Sequence, residues 1–136
     1  MPITVSEENH VALDPAQHPL SRGLCLALAV GLAFQLFYAG SDPAAAALIP
    51  APPWDKLAHL AVYATITGLA CVGTAGRMPF ALIAAIVAVG ALDELHQGSI
   101  PGRVADAADF LMDVCAAVGT GVAMLLRDAR RKTDDR

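Results

Sequence analysis

Polar side chains that could do chemistry, nearly all of them ionisable, occur in three short groups, each at the edge of an apolar stretch. They are Asp55, Lys56 and His59 in the first group, Asp93, Glu94, His96 and Gln97 in the second, and Arg103, Asp106, Asp109 and Asp113 in the third. Carboxylates and imidazole can transfer protons, and lysine and arginine can hold a phosphate or a carboxylate. The three groups are therefore the candidates for a binding or catalytic site.

The elements that must position these groups are apolar. Of the 136 residues, 56% are hydrophobic and 16% are charged, which is too apolar for an ordinary soluble domain. Four apolar blocks cover about residues 20–39, 57–73, 79–92 and 110–126. A helix crosses a bilayer with about 20 mostly apolar residues, so the third block spans only if its helix continues through Gln97. We predict an all-α integral membrane bundle of four transmembrane helices.

Charge predicts the orientation of this bundle. Residues 1–19 carry acids where a signal peptide carries positive charge, so we predict a flexible cytoplasmic tail there. Residues 20–126 form the transmembrane domain, and residues 127–136 a charged cytoplasmic tail that continues the last helix. With four spans, one side of the membrane has seven Lys or Arg residues and the other has two. Positive charge is retained in the cytoplasm, so both termini are predicted to be cytoplasmic and the three polar groups to face outward.

Helical spacing predicts which polar side chains can meet. Asp55, His59 and Tyr63 are four residues apart, so they form one stripe on the second helix, and Asp109 and Asp113 form another on the fourth. Lys56 and Arg103 are expected to pair with some of the acids, for example Arg103 with Glu94. Two bases against six acids leave negative charge that protons, water or a cation must balance.

The loops contain turn and cap signals. Pro-Pro at residues 52–53 predicts extended backbone before the second helix, with Asp55 at or near its cap. Pro-Gly at residues 101–102 predicts a turn, and Asp106 or Asp109 is expected to cap the last helix.

In their order along the chain, these motifs resemble the VanZ-like family. They are Asp-Lys-x-x-His-x-x-x-Tyr at residues 55–63, Asp-Glu-x-x-Gln at residues 93–97, and Pro-Gly-Arg at residues 101–103 with an aspartate at 109. The resemblance covers about residues 54–121. The chain departs from the family pattern at Asp113, where asparagine is usual, and at Ala116, where glycine is usual.

The resemblance implies a small multi-pass protein of the bacterial inner membrane, in a family whose founding member is linked to teicoplanin resistance. Two function classes stay open. The chain either binds or modifies a lipid-linked or glycopeptide-related molecule of the cell envelope, or is a non-catalytic accessory protein that modulates an envelope partner. As an enzyme it would use His59, Glu94 and Asp109 for proton transfer. The predicted binding residues are Asp55, Lys56, Gln97 and Arg103.

Other chemistries have weaker signals in the sequence. No metal site and no cofactor are predicted, because the histidines and acids lack a fixed ligand spacing such as His-Glu-x-x-His. No glycine-rich phosphate loop or nucleic-acid motif is present in the sequence. The three cysteines lie within apolar blocks and indicate packing residues. The lipid bilayer is thus the predicted partner, and the oligomeric state stays open.

Overall fold

The computed structural model describes residues 18–42, 44, 48, 53–101 and 103–134. It contains four helices, which we number α1 (Pro19–Ser41), α2 (Trp54–Thr74), α3 (Pro79–Gly98) and α4 (Ala107–Asp134). All four are long and apolar enough to cross a membrane, and no strand occurs in the described ranges. The prediction of an all-α bundle with four membrane spans is confirmed.

The observed helix ends refine the predicted ones. α3 continues through Gln97 to Gly98, as its span requires. α1 begins at Pro19, one residue before the predicted start of the transmembrane domain at residue 20. Proline suits this first position because its missing N–H would have no partner within the helix anyway. α4 runs to Asp134, so most of the charged C-terminal segment is helical. The predicted tail at residues 1–17 and most of the proline-rich first loop lie outside the described residues.

Caps and turns place the polar residues at the helix starts. Asp106 directly precedes α4, and its Oδ1 accepts the N–H of Ala108 at 2.8 Å, so Asp106 rather than Asp109 caps this helix. At the start of α2 the cap position is Pro53, and Asp55 lies in the first turn. The predicted turn between α3 and α4 is closed by the Arg103 N–H, which donates to the Ile100 carbonyl at 3.1 Å.

The helices alternate in direction, and contacts between their ends define two ends of the bundle. Arg22 near the start of α1 donates to the Gly73 carbonyl near the end of α2. Lys56 at the start of α2 meets Asp109 at the start of α4. We call the end that holds the starts of α2 and α4 the polar end, and the opposite one the basic end. The basic end carries Arg22, Arg77, Arg127, Arg130, Arg131 and Lys132.

Small residues bring the helices close, and apolar side chains cover the outside. Ala117 is fully buried and Ala116 nearly so, which lets α4 approach its neighbours. On the outer surface Phe34 and Phe80 are 73% and 78% exposed. Large apolar side chains exposed to this extent on helices of such length match a lipid environment, where they face acyl chains.

Candidate functional site

The outer layer of the polar end is built around one lysine. Lys56 Nζ on α2 donates to Asp106 Oδ2 at 2.7 Å and to Asp109 Oδ1 at 2.8 Å, and Asp55 Oδ2 lies 3.7 Å away. The Lys56 ammonium holds the pKa of Asp106 below its ordinary value of 3.8, because it donates a hydrogen bond to the ionised carboxylate. The expected pairing of Lys56 with acids is confirmed, and this contact joins α2 to the start of α4.

Beneath this layer a histidine and an aspartate form a buried pair. His59 on α2 is 9% exposed, and its Nδ1 lies 3.0 Å from Oδ1 of Asp113 on α4, which is fully buried. A carboxylate only accepts, so the Nδ1–H donates and the pair fixes the orientation of the imidazole. The other ring nitrogen, Nε2, lies 4.0 Å from Asp109 Oδ2, and the ring stacks on Tyr63 with centroids 6.4 Å apart.

Asp93 on α3 is linked to Arg103 through Gln97. Asp93 Oδ2 accepts a bond from Gln97 Nε2 at 2.9 Å, and Gln97 Oε1 accepts one from Arg103 Nη2 at 2.6 Å. Arg103 Nη1 also donates to the Gly40 carbonyl at 3.4 Å, so this side chain connects the loop between α3 and α4 to α1 and α3.

The predicted ion pair between Arg103 and Glu94 is therefore wrong. Glu94 Oε2 instead accepts the backbone N–H of Asp106 at 2.8 Å. The cap position of α4 presents this N–H to Glu94, while the guanidinium extends towards Gln97 and the end of α1. Glu94 thus binds the start of α4 through a backbone group.

Four buried polar atoms at the polar end have no hydrogen-bond partner among the described residues. They are Tyr63 Oη, Asp93 Oδ1, Glu94 Oε1 and Asp113 Oδ2. A buried polar atom without a partner costs about 1–3 kcal/mol, and more when it is charged. Folded proteins rarely keep such atoms, and those that persist call for a specific explanation. Four of them in one region indicate that this part of the bundle is arranged for more than packing.

A glycine on α3 allows this arrangement. A Cβ atom added to Gly90 would lie 3.1 Å from both Cβ and Oδ2 of Asp113, which is tighter than about nine in ten contacts of Cβ atoms in proteins. Without a side chain at Gly90, α4 lies against the backbone of α3, and Asp113 enters the same layer as His59. Asp93 follows Gly90 by three residues and shares its side of α3, so the carboxylates of α3 and α4 converge.

The seven predicted site residues all lie at the polar end. They are Asp55, Lys56, His59, Glu94, Gln97, Arg103 and Asp109. Their assigned roles in catalysis and binding stay predictions. Asp93, Asp113 and Tyr63 lie in the same cluster. In the sequence they belong to the polar groups and helical stripes, but no role in the site is predicted for them. His96 lies apart from the cluster, with Nε2 2.8 Å from Ser41 Oγ and its ring 5.6 Å from that of Phe37.

Comparison of the chain with protein-family profiles, curated proteins and solved structures found no match. Membership of the VanZ-like family therefore stays a prediction that rests on the motifs at residues 55–63, 93–97 and 101–109.

Proposed function

We propose that this multi-pass membrane protein is VanZ-like and that its polar end binds and modifies a lipid-linked molecule of the cell envelope. The observation that carries the proposal is the buried His59–Asp113 pair, which lies among carboxylates that each have one oxygen without a partner among the described residues. Burying such groups costs free energy, and a requirement for proton transfer explains why the bundle keeps them.

The contacts suggest a role for each group. Asp113 holds His59 through Nδ1, and this leaves Nε2 to accept or donate a proton. Glu94 Oε1 is the second candidate for proton transfer, because Oε2 is already used by the Asp106 N–H. Asp109 is assigned a supporting role, since one of its oxygens is bound by Lys56.

The surroundings of the site favour an amphiphilic substrate. Leu57, Leu95 and Val104 lie near the polar residues and are 50%, 70% and 85% exposed. An acyl or prenyl chain would lie along these side chains in the lipid, and its polar head would then reach the acids and His59. A lipid-linked molecule combines both parts, which a water-soluble glycopeptide does not.

The proposal is tested by envelope composition. The wild-type chain and the variants Glu94→Gln and His59→Asn are expressed in a bacterial host, and lipids and muropeptides are compared by mass spectrometry. We expect the wild type to change one lipid-linked species and both variants to leave it unchanged at equal membrane abundance. The control Asp134→Asn removes an exposed carboxylate at the basic end and should act like the wild type. Full activity of both site variants would overturn the proposed chemistry.

A non-catalytic accessory role is the second candidate, and one observation favours it. Lys56 is surrounded by carboxylates, and Arg103 is held by Gln97 and Gly40, so both cations already have partners within the bundle. A site built for recognition by shape would tolerate Glu94→Gln. It would lose function with Arg103→Lys, because lysine cannot hold two partners in the same fork geometry.

A further inference from the structure

Three of the buried groups at the polar end lie close enough together to share one ligand. One ligand atom from each of His59, Asp93 and Glu94 lies within 4.8 Å of the other two. Metal bonds of about 2.0–2.2 Å place neighbouring ligands roughly 3–4 Å apart, so small rotations of the side chains would close the set around an ion. We propose that His59, Asp93 and Glu94 bind a divalent metal cation of the zinc or manganese type.

The unpartnered oxygens point to the same ligand independently of this spacing. Asp93 is fully buried and Glu94 is 7% exposed, yet Asp93 Oδ1 and Glu94 Oε1 have no hydrogen-bond partner among the described residues. The other oxygen of each carboxylate is held by Gln97 or by the Asp106 N–H. Each acid is thus fixed by one oxygen and has a second oxygen to offer, as metal-binding carboxylates do.

His59 is oriented as a metal ligand requires. A ligating histidine donates its other ring N–H to a carboxylate or carbonyl, which fixes the tautomer and makes the ligating nitrogen more basic. Asp113 accepts from Nδ1 at 3.0 Å, so the proposal assigns Nε2 to the cation. Asp113 then acts through His59 and does not itself contact the metal.

The charges of the described residues support a cation. Asp93, Glu94 and Asp113 are buried together with one imidazole, while Lys56 is taken by the acids of the outer layer and Arg103 by Gln97. A divalent ion would balance two of these carboxylates. Imidazole together with carboxylate oxygens suits zinc or manganese better than magnesium or calcium, which prefer oxygen ligands alone.

This inference rests on the proposed function for its location and revises its proton-transfer roles, because His59 Nε2 and Glu94 Oε1 cannot accept protons while they hold an ion. It also departs from the sequence prediction that no metal binds. The sequence lacks a recognisable ligand spacing because the three ligands come from two helices. His59 is on α2, and Asp93 and Glu94 are adjacent on α3. A motif with fixed spacing along the chain therefore cannot reveal this set of three ligands.

The full chain, purified in detergent and stripped with a chelator, is titrated with Zn²⁺ and Mn²⁺ by calorimetry. We expect about one ion per chain and a higher melting temperature with metal. Asp93→Asn and Glu94→Gln should lose both effects. Asp113→Asn should weaken affinity about 10–100-fold, the usual cost of losing a partner that orients a ligand. Asp134→Asn is the control and should bind like the wild type.

Two results would overturn the inference. One is the absence of binding by the wild-type chain, which would mean that protons neutralise the acids. The other is unchanged affinity in both Asp93→Asn and Glu94→Gln, which would place the ion elsewhere. The folding of each variant is checked by helical content and by elution as a single species.

Envelope composition separates this inference from the proposed function. A chain that binds one metal ion through these residues but changes no envelope molecule supports the cation site and removes the proposed function. A chain that changes an envelope molecule but binds neither ion overturns the cation site and leaves the proposed function in place.

Discussion

Both ends of the bundle carry ionisable residues, but in opposite environments. At the basic end, Arg127, Arg130 and Lys132 are exposed, where water can solvate them. At the polar end, Asp93 and Asp113 are fully buried, and His59 and Glu94 are less than a tenth exposed. The exposed charges at the basic end therefore cost the fold little free energy, whereas the buried charges at the polar end must be stabilised by their surroundings.

The energetic difference between the ends is large. Substituting an exposed charged residue usually changes the free energy of unfolding by less than about 0.5 kcal/mol. The basic residues can therefore set the orientation in the membrane with little effect on stability. A buried ion costs several kcal/mol unless its partners compensate, and four polar atoms at the polar end lack partners among the described residues. Selection for stability alone would replace them with apolar residues, so we infer that the polar end is retained for function.

The largest expected difference between the ends is their accessibility in cells. The free cysteines Cys25, Cys71 and Cys115 are first replaced, and then Ser99→Cys at the polar end is compared with Thr133→Cys at the basic end. The lysine and arginine count predicts that Ser99→Cys reacts with a membrane-impermeant thiol reagent in intact cells and Thr133→Cys only after lysis. The reverse pattern would show that the polar end faces the cytoplasm.

The next prediction concerns the close approach of α3 and α4 at the polar end. Gly90→Leu should destabilise the bundle by about 3 kcal/mol, since even a Cβ at this position meets Asp113 at 3.1 Å. Gly119→Leu is the matched control, because a Cβ there meets nothing within 4 Å and leucine favours the helix by about 1 kcal/mol over glycine. Unfolding in mixed micelles measures both. If the Gly90→Leu and Gly119→Leu variants are equally stable, the close approach of α3 and α4 at Gly90 does not stabilise the bundle.

A smaller effect is expected from the outer layer, and it depends on pH. Because Lys56 lowers the pKa of Asp106, the ionised carboxylate stabilises the fold above pH 3.8, and this contribution is lost as the pH falls through the lowered pKa. The stability advantage of the wild type over Asp106→Asn should therefore be constant near neutral pH and shrink below pH 3.8. In a Lys56→Gln background the pH dependence of this difference should be much smaller. If the pH dependence is the same in this background, Lys56 does not cause the lowered pKa of Asp106.

Features that depend on one helix could be predicted from the sequence. The four spans follow from apolar length, including the extension of α3 through Gln97. The stripes of polar residues on α2 and α4 follow from the repeat of the helix, and they bring the predicted site residues to one end.

Features that depend on contacts between helices could not be predicted. Arg103 meets Gln97 rather than Glu94 because the turn after α3 directs it there and the cap of α4 presents an N–H to Glu94. The importance of Gly90 also appears only when α4 lies against α3, since glycine is common in membrane helices for many reasons.

We infer that the buried acids of the polar end serve a site and not the fold, and the variant Asp93→Asn is the sharpest test of this inference. The amide keeps the shape and the contact with Gln97 but removes a buried charge. Replacing such a charge with a neutral group of equal size should raise the free energy of unfolding by about 1 kcal/mol in metal-free detergent solution. The variant should at the same time lose its effect on envelope composition. A loss of about 3 kcal/mol or more, with envelope activity retained by the folded fraction, would show that Asp93 is structural and would contradict the claim.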